Sequence, residues 1–217
     1  MSRRRWLLTA AFSGLAGTAR AQDRDAFLAK QTPDCPGCDL PGQKLNRFKL
    51  ENARLAGADL TGAELYRGVL RRADLSMAKL RGADFNRADL KWARLTGTIL
   101  EGARLDAADL TGARMGGARL AGADLRGARL QGQNLRDLDL HGTNLSRTDL
   151  IEADLTGANL RGADLRGANF QGALLHDADL TNADLSGANL LTARMTGARL
   201  DGARFTNAVM PGGEQGE

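Results

Sequence analysis

The chain has 217 residues, of which 42% are hydrophobic and 26% charged but only 4% aromatic. That is length for one or two domains, although a single layered core would draw on more Phe, Tyr, Trp, Ile and Val than this. No stretch approaches the ~18 uninterrupted apolar residues of a membrane span. Two His and two Cys leave little material for a metal centre or a His-dependent active site.

Residues 1–21 read as an export leader. They combine the basic start Arg3-Arg4-Arg5, a modest apolar run and the small-x-small tripeptide Ala19-Arg20-Ala21, which predicts cleavage after Ala21. Ser2-Arg3-Arg4-Arg5-Trp6-Leu7 resembles the twin-arginine export consensus, with Trp6 where that pattern usually has Phe; the general export route is the alternative. Either route predicts a periplasmic or extracellular bacterial protein with no transmembrane segment once the leader is gone. The leader holds Arg3, Arg4, Arg5 and Arg20 and no acid, so the whole formal charge of +4 leaves with it. The basic isoelectric point is therefore no argument for binding nucleic acid.

Residues 22–37 are expected to form an N-terminal cap, with Asp23 to Lys30 as a short helical lid. Cys35-Pro36-Gly37-Cys38 lies at its end, and three readings of that spacing stand open. A zinc site needs two more ligands, and the only histidines, His141 and His176, lie far along the chain. A thioredoxin-like redox site needs a βαβ context that is absent. The oxidising surroundings of an exported chain favour a disulfide between Cys35 and Cys38 that pins the cap. Cys38 also falls in the register of the small inward residues described next, so a reduced, buried thiol fits as well.

From Leu40 to Met210 every fifth residue is Leu, Phe or Met, through 35 repeats without a slip. Two residues earlier stands Ala in 26 of the 35, and two residues later Gly recurs. An α-helix would smear a five-residue period around its circumference, and a long strand would flip it between faces. A short extended piece followed by a turn satisfies it. Residues two apart share a face of an extended piece, so Ala and the following Leu point inward, the polar residue between them points out, and the glycine-rich pair turns the corner. Proline, which lacks a ladder donor, occurs only at positions 33, 36, 41 and 211. Its exclusion from the interior predicts a backbone hydrogen-bonded throughout.

Ala58-Asp59-Leu60, Ala158-Asn159-Leu160 and Ala183-Asp184-Leu185 match the A-(D/N)-L-x-x motif of the pentapeptide-repeat family, and the chain resembles that family over residues 38–210. The resemblance implies an all-β fold, a right-handed quadrilateral β-helix of about nine coils with four repeats per coil. At ~4.8 Å between neighbouring strands this is a rod roughly 40 Å long. Residues 211–217 remain as a flexible tail.

Gln133, Leu138, Thr143 and Thr148 replace Ala in four consecutive repeats, one whole coil on that reading. Local widening, with Gln and Thr hydrogen-bonding the backbone, is expected there; a ligand notch is the sharper alternative. Gln43 and Phe48 also depart from Ala near the start.

No catalytic constellation, cofactor motif or metal-ligand set stands out. Carboxylate pairs such as Asp59 with Asp89 and Asp164 with Asp184 are products of the repeat, which does not match the calcium-binding β-roll motif. Residues twenty apart should stack on adjacent coils. That rule gathers Arg47, Arg67 and Arg87 into a column, Arg71 onto Lys91 and Arg72 onto Trp92, with Tyr66 and Arg81 nearby. A column of like charges beside an exposed Trp with a cationic neighbour has the make-up of an interaction anchor. Residues 22–119 carry 17 basic and 13 acidic residues, and residues 120–217 carry nine and 13. At the far end Phe205, Val209 and Met210 finish the core with little after them, which predicts an end-to-end homodimer or packing by the tail. The functional expectation is a non-enzymatic exported scaffold that binds a protein or an anionic envelope component, not nucleic acid. The runner-up is a DNA-mimic inhibitor of a type II topoisomerase, a role some relatives in the resembled family play. A net charge of zero without the leader and the export signal both disfavour it.

Overall fold

The computed structural model describes residues 15–216, with side chains from Ala21 onward. Residues 1–14, which carry the twin-arginine-like stretch of the expected leader, lie outside the described residues. One helix, α1 (Leu15–Leu28), is followed by a ladder of parallel β-bridges with a single interior break, between Arg114 and Asn134. Each bridge joins residues twenty apart, from Asp39↔Asp59 to Asn189↔Val209. Four pentads therefore make one turn of a four-sided β-helix.

The corners explain the pentad. Each central Leu carbonyl accepts the N–H of the residue three further on, as in Ala58 N to Leu55 O at 3.1 Å. The second corner residue has φ near +60° whether it is glycine, as at Gly57 (67°), or not, as at Arg67 (54°). This is a type II turn, which demands a left-handed residue at its third position. A non-glycine residue there costs roughly 1–2 kcal/mol, so the frequent glycine relieves strain, and each exception held in place by the ladder is a local weak point.

The inside is Leu and Ala as the register predicts, with Phe85 and Phe170 fully buried among them. The outward Asp and Asn are not free, a feature the alternating pattern alone did not expose. The first corner residue has a main-chain N–H that the ladder leaves unused, and the carboxylate or amide two positions before it accepts that N–H. Thr61 N to Asp59 Oδ1 (3.1 Å), Ser146 N to Asn144 Oδ1 (3.1 Å) and Ser186 N to Asp184 Oδ1 (3.0 Å) are examples. The preference for Asp or Asn before Leu is thus a backbone-capping requirement.

At the entrance, Cys35 and Cys38 are joined by a disulfide with Cα atoms 5.4 Å apart. It spans a corner of the same type, with Pro36 and Gly37 (φ 63°) as the central residues. Both cysteines are buried, and Cys35 N donates to Arg54 O at 2.8 Å, so the ladder reaches back before residue 38. Helix α1 ends at Leu28, where Gln31 N to Ala26 O and Lys30 N to Phe27 O close a Schellman motif with Lys30 in the left-handed position at φ 58°. Phe27 is buried beside Phe48, ring centroids 6.2 Å apart. At the other end the expected flexible tail folds back in part. Val209 pairs antiparallel with Gln215, and Gly216 N reaches Ala208 O. Phe205, Val209 and Met210 are left half-buried beneath it, and Leu200 is 40% exposed.

The ladder has one interior gap. The N–H groups of Gly112, Met115, Gly117 and Leu120 should donate to the rung below, and those of Asn134 and Asp139 to the rung above. None of these six reaches normal hydrogen-bond geometry and the Arg114–Asn134 bridge is lost, although Arg119 and Asp139 still pair loosely; the turns on both rungs remain closed and neighbouring inter-rung bonds, such as Gly122 N to His141 O (3.0 Å), persist. A cleft of about 430 Å³ opens here, lined by Ala113, Arg114, Met115, Gly116, Asn134, Arg136 and Asp137. The cause is volume. Gln133 and Leu138 stand in the inward Ala position of the lower rung, and the narrow interior cannot hold them at normal rung spacing. Thr143 and Thr148, closer to Ala in size, leave the ladder intact and satisfy their hydroxyls on Leu140 O (2.7 Å) and Leu125 O (2.9 Å). The expectation that Gln133 bonds to backbone is not met: its carboxamide makes no hydrogen bond among the described residues, and it is not among the fully buried unpartnered groups, so it keeps contact with solvent.

Candidate functional site

The surface residues singled out from the sequence lie on two adjacent corners and the face between them. One corner carries Arg47, Arg67 and Arg87, the other Asn52, Arg72 and Trp92, all left-handed and all one rung apart within their column. Arg71 and Lys91 lie one rung apart, with Arg72 N donating to Lys91 O at 2.9 Å, and the two cations are not left to face each other uncompensated. Each cation turns instead to a carboxylate on the rung below: Arg71 Nε is 2.7 Å from Asp89 Oδ2, and Lys91 Nζ is 3.0 Å from Asp109 Oδ2. Arg81 likewise pairs with Glu101. Pairing with carboxylates on the next rung therefore neutralises three of the seven cations of the basic patch. Arg47, Arg67, Arg72 and Arg87 make no ion pair among the described residues, because the corner points their side chains away from the rows of Asp on the faces.

Two of these free arginines lie against aromatic rings instead. The Arg67 guanidinium is 5.2 Å from the Tyr66 ring centroid and that of Arg72 is 5.5 Å from Trp92. Trp92 is 50% exposed, yet its ring is not loose. On the next rung a Cβ added to Gly112 would come 2.4 Å from the indole Cδ1, so the ring lies flat on the bare glycine corner. Arg72, Trp92 and Gly112 form a stack of cation, indole and glycine along one edge of the rod. Rigid, half-desolvated aromatic surface of this kind gives contact area at low entropic cost. The same device recurs where Met77, 69% exposed, covers Gly97.

The carboxylate rows serve the fold. Hydrogen bonds from Thr181 and Ser186 hold Asp179 and Asp184 below the usual carboxylate range, and the Arg166 guanidinium does the same for Asp164. A group whose folded pKa is depressed adds stability above its unfolded value near 4, and that stability is lost as pH falls through the folded value. Thermal unfolding followed by circular dichroism is therefore expected to give a constant Tm from pH 8 to about 5 and a falling one below about pH 4. A Tm that rises on acidification would contradict this role.

No group of three or more His, Cys, Asp or Glu residues able to hold a metal occurs among the described residues, and no described helix is long and apolar enough to cross a membrane. Eight overlapping copies of the model for pentapeptide repeats match the chain, between residues 34 and 211. The crystal structure of HetL, a pentapeptide repeat protein involved in heterocyst differentiation regulation in the cyanobacterium Nostoc sp. strain PCC 7120, is 36% identical with a TM-score of 0.58; the match covers 84% of this chain and 86% of that one. A pentapeptide repeat protein of the Arabidopsis thaliana thylakoid lumen is 32% identical over 46% of this chain and 63% of that one, TM-score 0.29. QnrB1, a plasmid-mediated fluoroquinolone resistance protein, matches at 22% identity over 76% of this chain and 88% of that one, TM-score 0.47. No curated protein matches. With its pentad register, its four-sided right-handed β-helix and these matches, the chain belongs to the pentapeptide repeat family.

Proposed function

We propose that the chain is an exported, non-catalytic scaffold whose arginine-edged face receives a protein or an anionic component of the cell envelope. The observation that carries this reading is the Arg72–Trp92–Gly112 stack, a half-exposed indole held rigid beside arginines that have no carboxylate partner. Each of these left-handed non-glycine corners costs stability that glycine would spare, and strained positions of this sort cluster where a surface is used. Export is supported by the leader pattern of residues 1–21 and by the Cys35–Cys38 disulfide, a bond suited to an oxidising compartment. DNA mimicry fits less well. It needs an unbroken anionic surface, and the Asp rows here are answered by cations one rung away, as in Lys79–Asp59 and Arg94–Asp74.

The test is a Trp92→Ala, Arg72→Gly double variant compared with the unaltered chain by in-cell cross-linking and mass spectrometry. Glycine relieves the corner, so the variant is expected to melt no lower than the original. Loss of two anchor side chains is expected to weaken partner capture by about 30-fold or more. An unchanged set of cross-links at unchanged yield would remove the face from consideration.

A further inference from the structure

A second site lies under the cap, separate from the tryptophan stack. The segment from Phe27 to Pro33, which outlasts removal of the expected leader, and the first rung border a cleft of about 470 Å³, within the range of small-molecule sites. Its apolar lining comes from Phe27, Phe48, Pro33 and Leu50, and Lys30, Arg47 and Lys49 line the same space. None of these three cations makes an ion pair among the described residues; the one carboxylate in the lining is Glu51.

Lys30 is placed there at a cost. It occupies the left-handed position that ends α1, where glycine is the usual residue, and its Nζ lies 4.7 Å from the Phe48 ring centroid. The ammonium is thereby held at the mouth of a cleft floored by Phe48, and it makes no ion pair among the described residues. Phe48 itself replaces the small inward Ala of the repeat, and the aromatic surface it gives the cleft is absent from regular rungs.

We propose that this cleft binds a small amphipathic acid, its hydrocarbon part against Phe48 and Pro33 and its anionic head on Lys30 and Lys49. An apolar floor alone would take any hydrophobe; three unpaired cations around it select a negative head group. A neutral or cationic molecule of the same length gains the floor but not the head-group contacts.

Octanoate is the probe, titrated calorimetrically into the purified chain beside octan-1-ol and octyltrimethylammonium. The expected result is saturable binding of one octanoate per chain, with the alcohol and the ammonium compound at least about tenfold weaker, the scale of one charge-assisted contact. Lys30→Gly removes the ammonium while relaxing the backbone, so it is expected to weaken octanoate about tenfold with Tm unchanged or raised; Lys49→Gln should weaken it comparably. Absence of saturable octanoate binding, equal binding of all three probes, or unchanged affinity in both variants would overturn the proposal. Trp92→Ala leaves this site intact and is expected to bind octanoate normally, so failure here and failure of the envelope-scaffold reading are separately visible.

Discussion

Replacing Gln133 and Leu138 together with alanine is expected to close the gap in the ladder and to raise the stability of the rod by about 3 kcal/mol. Six inter-rung hydrogen bonds are regained at roughly 1 kcal/mol each. Against these stands the lost burial of the Leu138 side chain, about 2–3 kcal/mol. For a domain of this length the net gain corresponds to a Tm increase of about 6 °C or more. Hydrogen exchange gives the residue-level check. The amides of Gly112, Met115, Gly117, Leu120, Asn134 and Asp139 should exchange quickly in the unaltered chain, while those of Leu125 and Leu145, which keep their ladder bonds, exchange slowly. In the double variant all should be slow. If the six amides are already protected without the substitutions, the gap does not exist in solution.

That gap was half legible in the sequence. The run Gln133, Leu138, Thr143, Thr148 breaks the Ala register visibly, and widening is what oversized inward residues predict. The sequence treats the four as one irregular coil, however, and only packing separates them. The two threonines fit, because their hydroxyls reach backbone carbonyls, whereas glutamine and leucine exceed the space. The rung-to-rung rule of twenty residues was likewise enough to align Arg72 with Trp92, since both sit at corners whose spacing the period dictates. It also placed Arg71 above Lys91, but it did not name the carboxylates one rung on, Asp89 and Asp109, that each cation pairs with. Register gives Cα position; the direction of a long cationic side chain follows the nearest carboxylate. The cleft under α1 had no signal in the period at all, because it arises where the helix meets the first rung and the repeat has not yet become regular.

Phe170→Ala is expected to split the unfolding of the rod into two steps. Phe170 is fully buried in the C-terminal half, and deleting a buried ring from a packed core costs about 3–5 kcal/mol. In a solenoid each rung touches only its neighbours, so the loss stays local and passes to the rest through the interfaces between rungs. The interface between residues 112–120 and 131–139 lacks six of its hydrogen bonds and is the weakest coupling in the array. Rungs beyond it should therefore melt first, leaving residues 40–110 folded. Trp92, the only tryptophan outside residues 1–21, lies in the N-terminal half and reports that half alone, whereas circular dichroism reports both. The two probes should give separated transitions for Phe170→Ala. They should coincide again when Gln133→Ala and Leu138→Ala are added, because a repaired ladder transmits the damage across the whole rod. Coincident transitions in the single variant would mean that the remaining bonds across this interface, such as Gly122 N to His141 O and Leu110 N to Arg129 O, already couple the halves.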